Sequence, residues 1–122
     1  MSFFSKLLSL LTPDTTSTVA PIEAKRLLAL PAPQKPQLID VRTPGEWKQG
    51  RIAGAKHIDV SGSEFDRKVQ SLPKEASYLL YCRSGGRSGS ALSRMKSMGF
   101  SDVKHISGGM GTWQAAGYPV TK

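Results

Sequence analysis

The sequence predicts one α/β domain, a parallel sheet with helices packed on its faces. From Ala20 onward, short apolar runs alternate with stretches of helical periodicity, a pattern typical of parallel sheets. The 122 residues amount to about one domain. A chain of this length buries enough surface to fold around one core without disulfides or structural metals, and with Cys82 as the only cysteine no disulfide can form within the chain.

Residues 1–19 differ in pattern from the rest. The first 11 residues place their apolar side chains at helical spacing, which predicts a short amphipathic helix, and residues 12–19 are typical of a linker. The helix is too short to span a bilayer, which takes about 20 apolar residues. Weak membrane contact and packing on protein both stay open for residues 1–11. No secretory signal is evident, so we expect a cytoplasmic protein, with membrane association open, and a domain over residues 20–122.

In the first half of the domain, proline, glycine and serine residues indicate where helices begin and end. Pro21 suits the first position of a helix, Gly50 ends a short one, and Ser63 can cap a third. The predicted elements are a helix over 21–30, a buried strand over 38–41, one or two helical turns over 44–49, a strand over 55–60 and a helix over 63–72.

The second half contains the most strand-like run, residues 78–81, which stops at Cys82. A helix is predicted from about Ser88 to Met98, because apolar side chains recur on one face and Gly99 follows as its C-cap. A last strand over 103–106 and a last helical turn or two over 108–113 complete the predicted sheet and helices.

The segment between the strand ending at Cys82 and the next helix predicts an anion-binding loop. It holds two glycines and two arginines within five residues, Arg83-Ser84-Gly85-Gly86-Arg87. Glycines let backbone N–H groups turn inward, and a helix N-terminus adds unpaired N–H groups. Such surroundings favour a thiolate over a thiol, so Cys82 is the candidate nucleophile. A lone cysteine at a strand end is otherwise most often a small buried hydrophobe.

The charge balance suits nucleic acid, an anionic membrane or small anionic substrates, so the placement of the basic residues has to decide. The chain has 17 Lys and Arg against 9 Asp and Glu, a formal net charge of +8. These basic residues are scattered, with no run of five or six and no interleaved aromatic residues, so we expect no nucleic-acid partner. One cysteine with only His57 and His105 cannot form a zinc cluster, and we expect neither metal nor cofactor.

Several short motifs follow one another in order over roughly residues 20–122. They are Asp40-Val41-Arg42, Glu46, residues 50–55, the loop Cys82-Arg83-Ser84-Gly85-Gly86-Arg87-Ser88, Gly108-Gly109 with Trp113, and residues 117–119. Taken together, these motifs resemble those of the rhodanese-like (sulfurtransferase) domains. Arg51 and Ala53 depart from the family pattern, standing where histidine and proline are usual.

The resemblance implies a five-stranded, mostly parallel sheet with helices on both faces and a sulfurtransferase that forms a persulfide on Cys82. The donor would be a small anion such as thiosulfate, and the acceptor cyanide, a thiol or a sulfur-carrier protein. Backbone N–H groups of residues 83–88 would hold the persulfide charge. Arg83 and Arg87 would dock the donor, although Arg87 can instead anchor the loop through a carboxylate. Ser88 is expected to cap the helix, with donation to the sulfur as the alternative.

Three residues near the end of the 38–41 strand are predicted to support the loop. We expect an ion pair between Arg42 and Glu46, and Asp40 accepting backbone N–H bonds. No catalytic role is assigned to His57 or His105, since neither has a carboxylate or cysteine at informative spacing.

Two other functions remain open from the sequence. The related dual-specificity phosphatases and arsenate reductases have five residues between cysteine and arginine, where this chain has four between Cys82 and Arg87. The shorter loop favours a single sulfur atom over a phosphoryl group. A noncatalytic or sulfur-relay module of the same fold is the other alternative.

Overall fold

The structure, a computed structural model, describes residues 17–122 and contains a five-stranded parallel sheet. The strands are β1 (Thr18–Val19), β2 (Gln37–Asp40), β3 (Lys56–His57), β4 (Ser77–Tyr81) and β5 (Asp102–Ile106). The helices are α1 (Pro21–Leu28), α2 (Pro44–Gln49), α3 (Phe65–Gln70), α4 (Gly86–Ser97) and α5 (Gly109–Ala115). The predicted α/β class and five-stranded parallel sheet are confirmed.

Two apolar clusters lie on opposite faces of the sheet. One joins β4 to α3 and α4, with Leu80, Val69 and Met95 fully buried. The other joins β4 to α1 and α5 and includes Leu79 and Trp113. Successive strand residues point to opposite faces, so one apolar run in β4 supplies both clusters. The central strand is therefore buried on both sides.

The strand order, β1-β5-β4-β2-β3, places a crevice beside the end of β4. The chain leaves β2 toward β3 on one side and leaves β4 toward β5 on the other. The loops that follow these two neighbouring strands consequently diverge, and ligands of open α/β sheets bind at such a point. Asp40 of β2 lies opposite Tyr81 of β4 in the register, so Arg42 and Cys82 follow at the same edge.

The N-terminal boundary differs from the prediction. Thr18 and Val19, placed in the linker by the sequence, form β1 and pair with His105 and Ile106. The linker prediction is wrong for these residues because a two-residue edge strand has too little periodicity to be visible in sequence. The predicted helix over 1–11 lies outside the described residues. Within residues 17–122, no helix is both long and apolar enough to cross a membrane.

Other element bounds are shorter or shifted. The strand predicted over 55–60 is reduced to Lys56–His57, and the helix predicted to begin at Ser63 begins at Phe65 with Glu64 as its N-cap. The first helix ends at Leu28, and the last one extends to Ala115. Turn residues mark where an element can end, whereas packing decides how far it runs, which accounts for shifts of this size.

A buried ion pair fixes the end of β2. Asp40 has no exposed surface, accepts the backbone N–H of Arg42 at 2.9 Å, and binds the Arg42 guanidinium through both carboxylate oxygens at 2.7 to 3.0 Å. Arg42 also donates to the Gly50 carbonyl at 2.6 Å. The predicted backbone bond to Asp40 is confirmed, and the pair ties β2 to the end of α2.

Removal of Asp40 tests this pair. Asp40→Ala should lower the free energy of unfolding by about 3 to 5 kcal/mol, because it leaves the Arg42 charge buried without its partner. Chemical denaturation at neutral pH measures the change. The matched control is Asp102→Ala, which breaks the half-exposed pair with Lys104 and should cost less than about 1 kcal/mol. Equal losses in the two variants would contradict the role given to Asp40.

Candidate active site

Cys82 lies directly after β4, beneath the loop that leads into α4. Its side chain is 0% exposed, and its backbone carbonyl accepts the Met110 N–H at 2.8 Å. The loop is short because α4 begins at Gly86 and not at Ser88 as predicted. The first turn of a 12-residue helix therefore faces the sulfur, and helix N-termini carry partial positive charge.

Backbone N–H groups surround the sulfur. The Gly85 N–H donates to Cys82 Sγ at 3.0 Å, and the backbone N–H groups of Ser84 and Ser88 also act to lower the pKa of the thiol. Gly85 has φ of +109°, in the left-handed region that favours glycine, which turns its N–H inward. The predicted nest of inward-facing amides is thus present, and Gly85 is the residue on which its shape depends.

The pKa of the Cys82 thiol is lowered. Burial acts to raise this pKa, but the Ser88 hydroxyl and the backbone N–H groups of Ser88, Gly85 and Ser84 outweigh it. Donors that bind a thiolate stabilise the charged form. The surroundings therefore favour an anionic sulfur in spite of its burial.

The Gly108-Gly109 turn supports the loop from behind. Gly109 has φ of +57°, and a Cβ there would collide with the Cys82 carbonyl oxygen and the Arg83 backbone. Its close approach lets the N–H groups of Met110 and Gly111 bind the carbonyls of Cys82 and Arg83 at 2.8 and 3.1 Å. The glycine pair, predicted to open a helix and noted as a family motif, thus also fixes the backbone at Cys82.

The Arg87 side chain is bound by the Glu46 carboxylate. Its two terminal nitrogens donate to the Glu46 carboxylate at 2.7 and 2.9 Å, a bidentate pair. Thr43 and Glu46 form a capping box at the start of α2, which fixes the carboxylate. The predicted Arg42–Glu46 pair is wrong, because Arg42 is already bound by Asp40. The alternative role of Arg87, anchoring the loop through a carboxylate, matches the geometry.

Ser88 does not cap the helix. It is the third residue of α4, whose N-cap is Gly85 without any side-chain bond. The Ser88 hydroxyl oxygen instead lies 3.5 Å from Cys82 Sγ, 3.3 Å from the Gly85 carbonyl oxygen and 2.9 Å from His105 Nδ1. The capping prediction is wrong because the helix starts two residues earlier than expected.

His105 lies next to the site, although the sequence pattern gave no reason to place it there. It belongs to β5, and the parallel register sets it opposite Leu80, two residues before Cys82. Nothing in the spacing along the chain marks it, since the contact with Ser88 arises from strand order. His57 lies elsewhere, stacked on Trp47 and bound to the Arg42 carbonyl.

An open polar cleft of about 440 Å³ borders the loop. Arg83 lines it, together with Arg42, Glu46, Gln49 and Gln114. Within residues 17–122 the Arg83 guanidinium makes no hydrogen bond or ion pair, so its charge is available to an anion. No group of three or more His, Cys, Asp or Glu side chains in that range is arranged to hold a metal ion.

Residues 23–116 match the model of the Rhodanese-like domain. The chain belongs to this family. It is 33% identical over 107 residues to the thiosulfate sulfurtransferase GlpE of Pseudomonas aeruginosa, covering 87% of this chain and 90% of GlpE. It is 39% identical over 97 residues to the probable adenylyltransferase/sulfurtransferase MoeZ of Mycobacterium tuberculosis, covering 80% of this chain. The matched region is 24% of the length of MoeZ.

Solved rhodanese-like structures have the same fold. A rhodanese-related protein from Thermoplasma volcanium superposes with a TM-score of 0.74 at 26% identity, covering 85% of this chain and 96% of that one. A rhodanese-like domain protein from Staphylococcus aureus gives 0.70 at 29% identity, covering 80% and 90%. The predicted family is therefore confirmed by sequence and by structure.

The Arg87–Glu46 pair predicts a pH-dependent stability. The Arg87 guanidinium lowers the pKa of Glu46 from 4.5 to about 2 against the opposing effect of burial. A carboxylate whose pKa falls on folding stabilises the fold above its unfolded pKa and loses that contribution as the pH falls toward its folded pKa. Glu46→Gln should therefore lower the free energy of unfolding at pH 7 by about 1 to 2 kcal/mol after solvent screening.

Urea denaturation of both proteins from pH 7 to pH 2 measures the difference, which should shrink below about pH 4.5. Glu23→Gln is the matched control, because it breaks an exposed pair with Arg26 in α1 and should leave stability unchanged. A difference that stays constant down to pH 2 would show that the ion pair is not its source.

Proposed function

We propose that this rhodanese-like chain is a sulfurtransferase that accepts sulfane sulfur on Cys82 as a persulfide and passes it to a thiophilic acceptor. The observation that carries the proposal is the ring of N–H donors around Cys82 Sγ, which lowers the pKa of the thiol. A thiolate is the form of cysteine that attacks sulfur. The similarity to GlpE, a protein named as a thiosulfate sulfurtransferase, supports this activity.

Two displacements describe the reaction with thiosulfate as donor. The Cys82 thiolate attacks the outer sulfur of thiosulfate, a sulfur–sulfur bond to the enzyme forms, and the bond to the inner sulfur breaks to release sulfite. Cyanide or a thiolate then attacks the terminal sulfur of the persulfide and leaves as thiocyanate or a new persulfide, which regenerates the Cys82 thiolate. Charge balances in both steps without proton transfer, so the chemistry requires no general base.

The two arginines of the loop have separate roles in this proposal. Arg83 borders the cleft and has no partner among the described residues, which suits it to bind a dianionic donor. Arg87 is bound to Glu46 and keeps the first turn of α4 in place. A donor is thus attracted by Arg83, while the charge on Cys82 is stabilised by backbone N–H groups.

Access to the sulfur requires movement of side chains in the loop. Cys82 has no exposed surface, so neither donor nor acceptor can contact Sγ in the conformation of this structure. Arg83 and Ser84 are the exposed residues that follow Cys82, and Arg83 lines the cleft. We therefore propose that the Arg83 and Ser84 side chains move aside during transfer, while the Gly85 N–H bond and the Gly109 contact hold Cys82 in place.

Sulfur loading tests the proposal directly. Incubation with thiosulfate should add the mass of one sulfur atom to the protein, and reductant or cyanide should remove it, the latter releasing thiocyanate. Cys82→Ser should fold normally, gain no sulfur and lose transfer activity, because the only thiol is absent. Sulfur addition to the serine variant, or faster hydrolysis of an aryl phosphate than sulfur transfer in the native protein, would contradict it. A native protein that takes up no sulfur would instead be a noncatalytic module.

A pair of arginine variants tests the division of roles. Arg83→Ala should raise the KM for thiosulfate about tenfold and change kcat little, since a docking charge is lost, and Arg83→Lys should recover part of the affinity. Arg87→Ala should lower kcat and thermal stability together, because the loop loses its anchor. Steady-state kinetics and thermal unfolding measure these changes. An Arg87 variant with only a KM effect would assign donor docking to Arg87 instead.

A further inference from the structure

A line of hydrogen-bonding side chains connects the buried sulfur to the edge of the sheet. Cys82 Sγ lies 3.5 Å from Ser88 Oγ, Ser88 Oγ lies 2.9 Å from His105 Nδ1, and His105 Nε2 lies 3.2 Å from Thr18 Oγ1. The first two residues have no exposed surface, His105 is half-buried and Thr18 is exposed. Three elements, β1, β5 and α4, supply the three residues that follow the cysteine.

The fold places His105 in this line through strand register. β5 pairs with β4 on one side and β1 on the other, so His105 lies opposite both Leu80 and Thr18. The His105 side chain is directed to the sheet face that carries α4, the same face as Val103. Ser88 meets it there because it is in the first turn of α4.

The number of protons at Ser88 restricts the direction of these bonds. Its hydroxyl has one proton, whereas Cys82 Sγ, the Gly85 carbonyl and His105 Nδ1 are all within reach. A charged acceptor forms the stronger hydrogen bond, so the proton faces the sulfur when the sulfur is a thiolate. Ser88 Oγ can then only accept from His105, which makes Nδ1 the donor and leaves Nε2 to accept the Thr18 hydroxyl proton.

We propose that His105 is a positioning residue for the nucleophile: by donating from Nδ1 to Ser88 Oγ, it directs the Ser88 hydroxyl proton to Cys82 Sγ and so stabilises the thiolate. The proposal rests on the proposed sulfurtransferase function only for its catalytic consequence. His105 contacts neither the sulfur nor the cleft, so its effect passes through Ser88.

Charged side chains from α4 and β5 lie near these residues. The Arg87 guanidinium interacts with the Cys82 charge from the first turn of α4. Burial lowers the pKa of His105, which keeps the ring neutral near neutral pH. On the β1 side, Ser17 binds the Lys96 ammonium group of α4, and on β5 Lys104 binds Asp102. The neutral ring therefore acts as a directional hydrogen-bonding group and not as a positive charge.

Two amide variants separate the two ring nitrogens. Asparagine keeps a donor at the place of Nδ1, next to Ser88, whereas glutamine places its amide near Nε2, next to Thr18. The measurement is the apparent pKa of the Cys82 thiol, taken from the pH dependence of its alkylation by iodoacetamide. Burial slows alkylation by the same factor at every pH, so it does not move the midpoint of that curve.

His105→Leu should raise the apparent thiol pKa by about half a unit to one unit, His105→Asn should recover most of the native value, and His105→Gln should resemble His105→Leu. Ser88→Ala should raise the pKa by at least as much, and adding His105→Leu to it should cause no further shift, since His105 acts through Ser88. Thermal unfolding of each variant shows that it is folded.

An unchanged or lowered pKa in His105→Leu would overturn the proposal, because it would mean that Ser88 donates to the ring or that the ring has no influence. A full additional shift in the double variant would also overturn it. If His105→Leu fails to fold, the comparison of the asparagine and glutamine variants decides, and equal pKa values in these two would contradict the proposal.

The catalytic consequence of replacing His105 is measured in a separate assay of sulfur loading. The rate of sulfur loading from thiosulfate should fall in His105→Leu at a pH below the apparent thiol pKa of the native protein, and it should return to the native rate at a pH above the apparent thiol pKa of both proteins. A native protein that accepts no sulfur while the pKa shifts remain would refute the proposed function and leave the role of His105 intact. Loading that is reduced equally at both pH values would contradict the positioning role.

Discussion

The stabilisation of negative charge on a sulfur with no exposed surface sets the demands on the loop around Cys82. Burial disfavours the thiolate, and only donors fixed in place before the charge forms can offset that penalty. Three backbone N–H groups and one hydroxyl do so around Cys82. Each backbone N–H is held by the loop and the first turn of α4, so the charge on one atom depends on the exact course of a few residues of main chain. The positive φ of Gly85 gives the loop that course.

Contacts from three sides hold this loop. The turn at Gly109 contacts the Cys82 carbonyl so closely that no side chain would fit there. The bidentate Glu46–Arg87 pair holds the first turn of α4. The Asp40–Arg42 pair fixes the end of the neighbouring strand. These contacts come from parts of the chain far apart in sequence. The site is therefore a property of the whole sheet edge, and Arg83, which has no partner within residues 17–122, is the charged side chain of the loop that lines the cleft.

The sequence was sufficient for the fold class and for the loop that follows Cys82, because these depend on local patterns: apolar runs, a cysteine at a strand end and glycines before a helix. It could not determine which carboxylate meets which guanidinium. Carboxylates lie on both sides of Arg42 in the sequence, and the folded chain pairs Arg42 with Asp40 and leaves Glu46 for Arg87 of α4. His105 and the edge strand at Thr18 escaped notice for the same reason, since their contacts are made by strand order and leave no mark in residue spacing.

The acidity of the single thiol tests the account most directly. The ultraviolet absorbance of the thiolate can be followed against pH for the folded protein and for the protein unfolded in urea, and with one cysteine the signal has a single source. If inward-facing donors outweigh burial, the folded protein ionises at a clearly lower pH than the unfolded chain. A folded thiol that ionises at the same pH as the unfolded one, or at a higher pH, would contradict the account, because burial would then dominate and Cys82 would be an inert core residue.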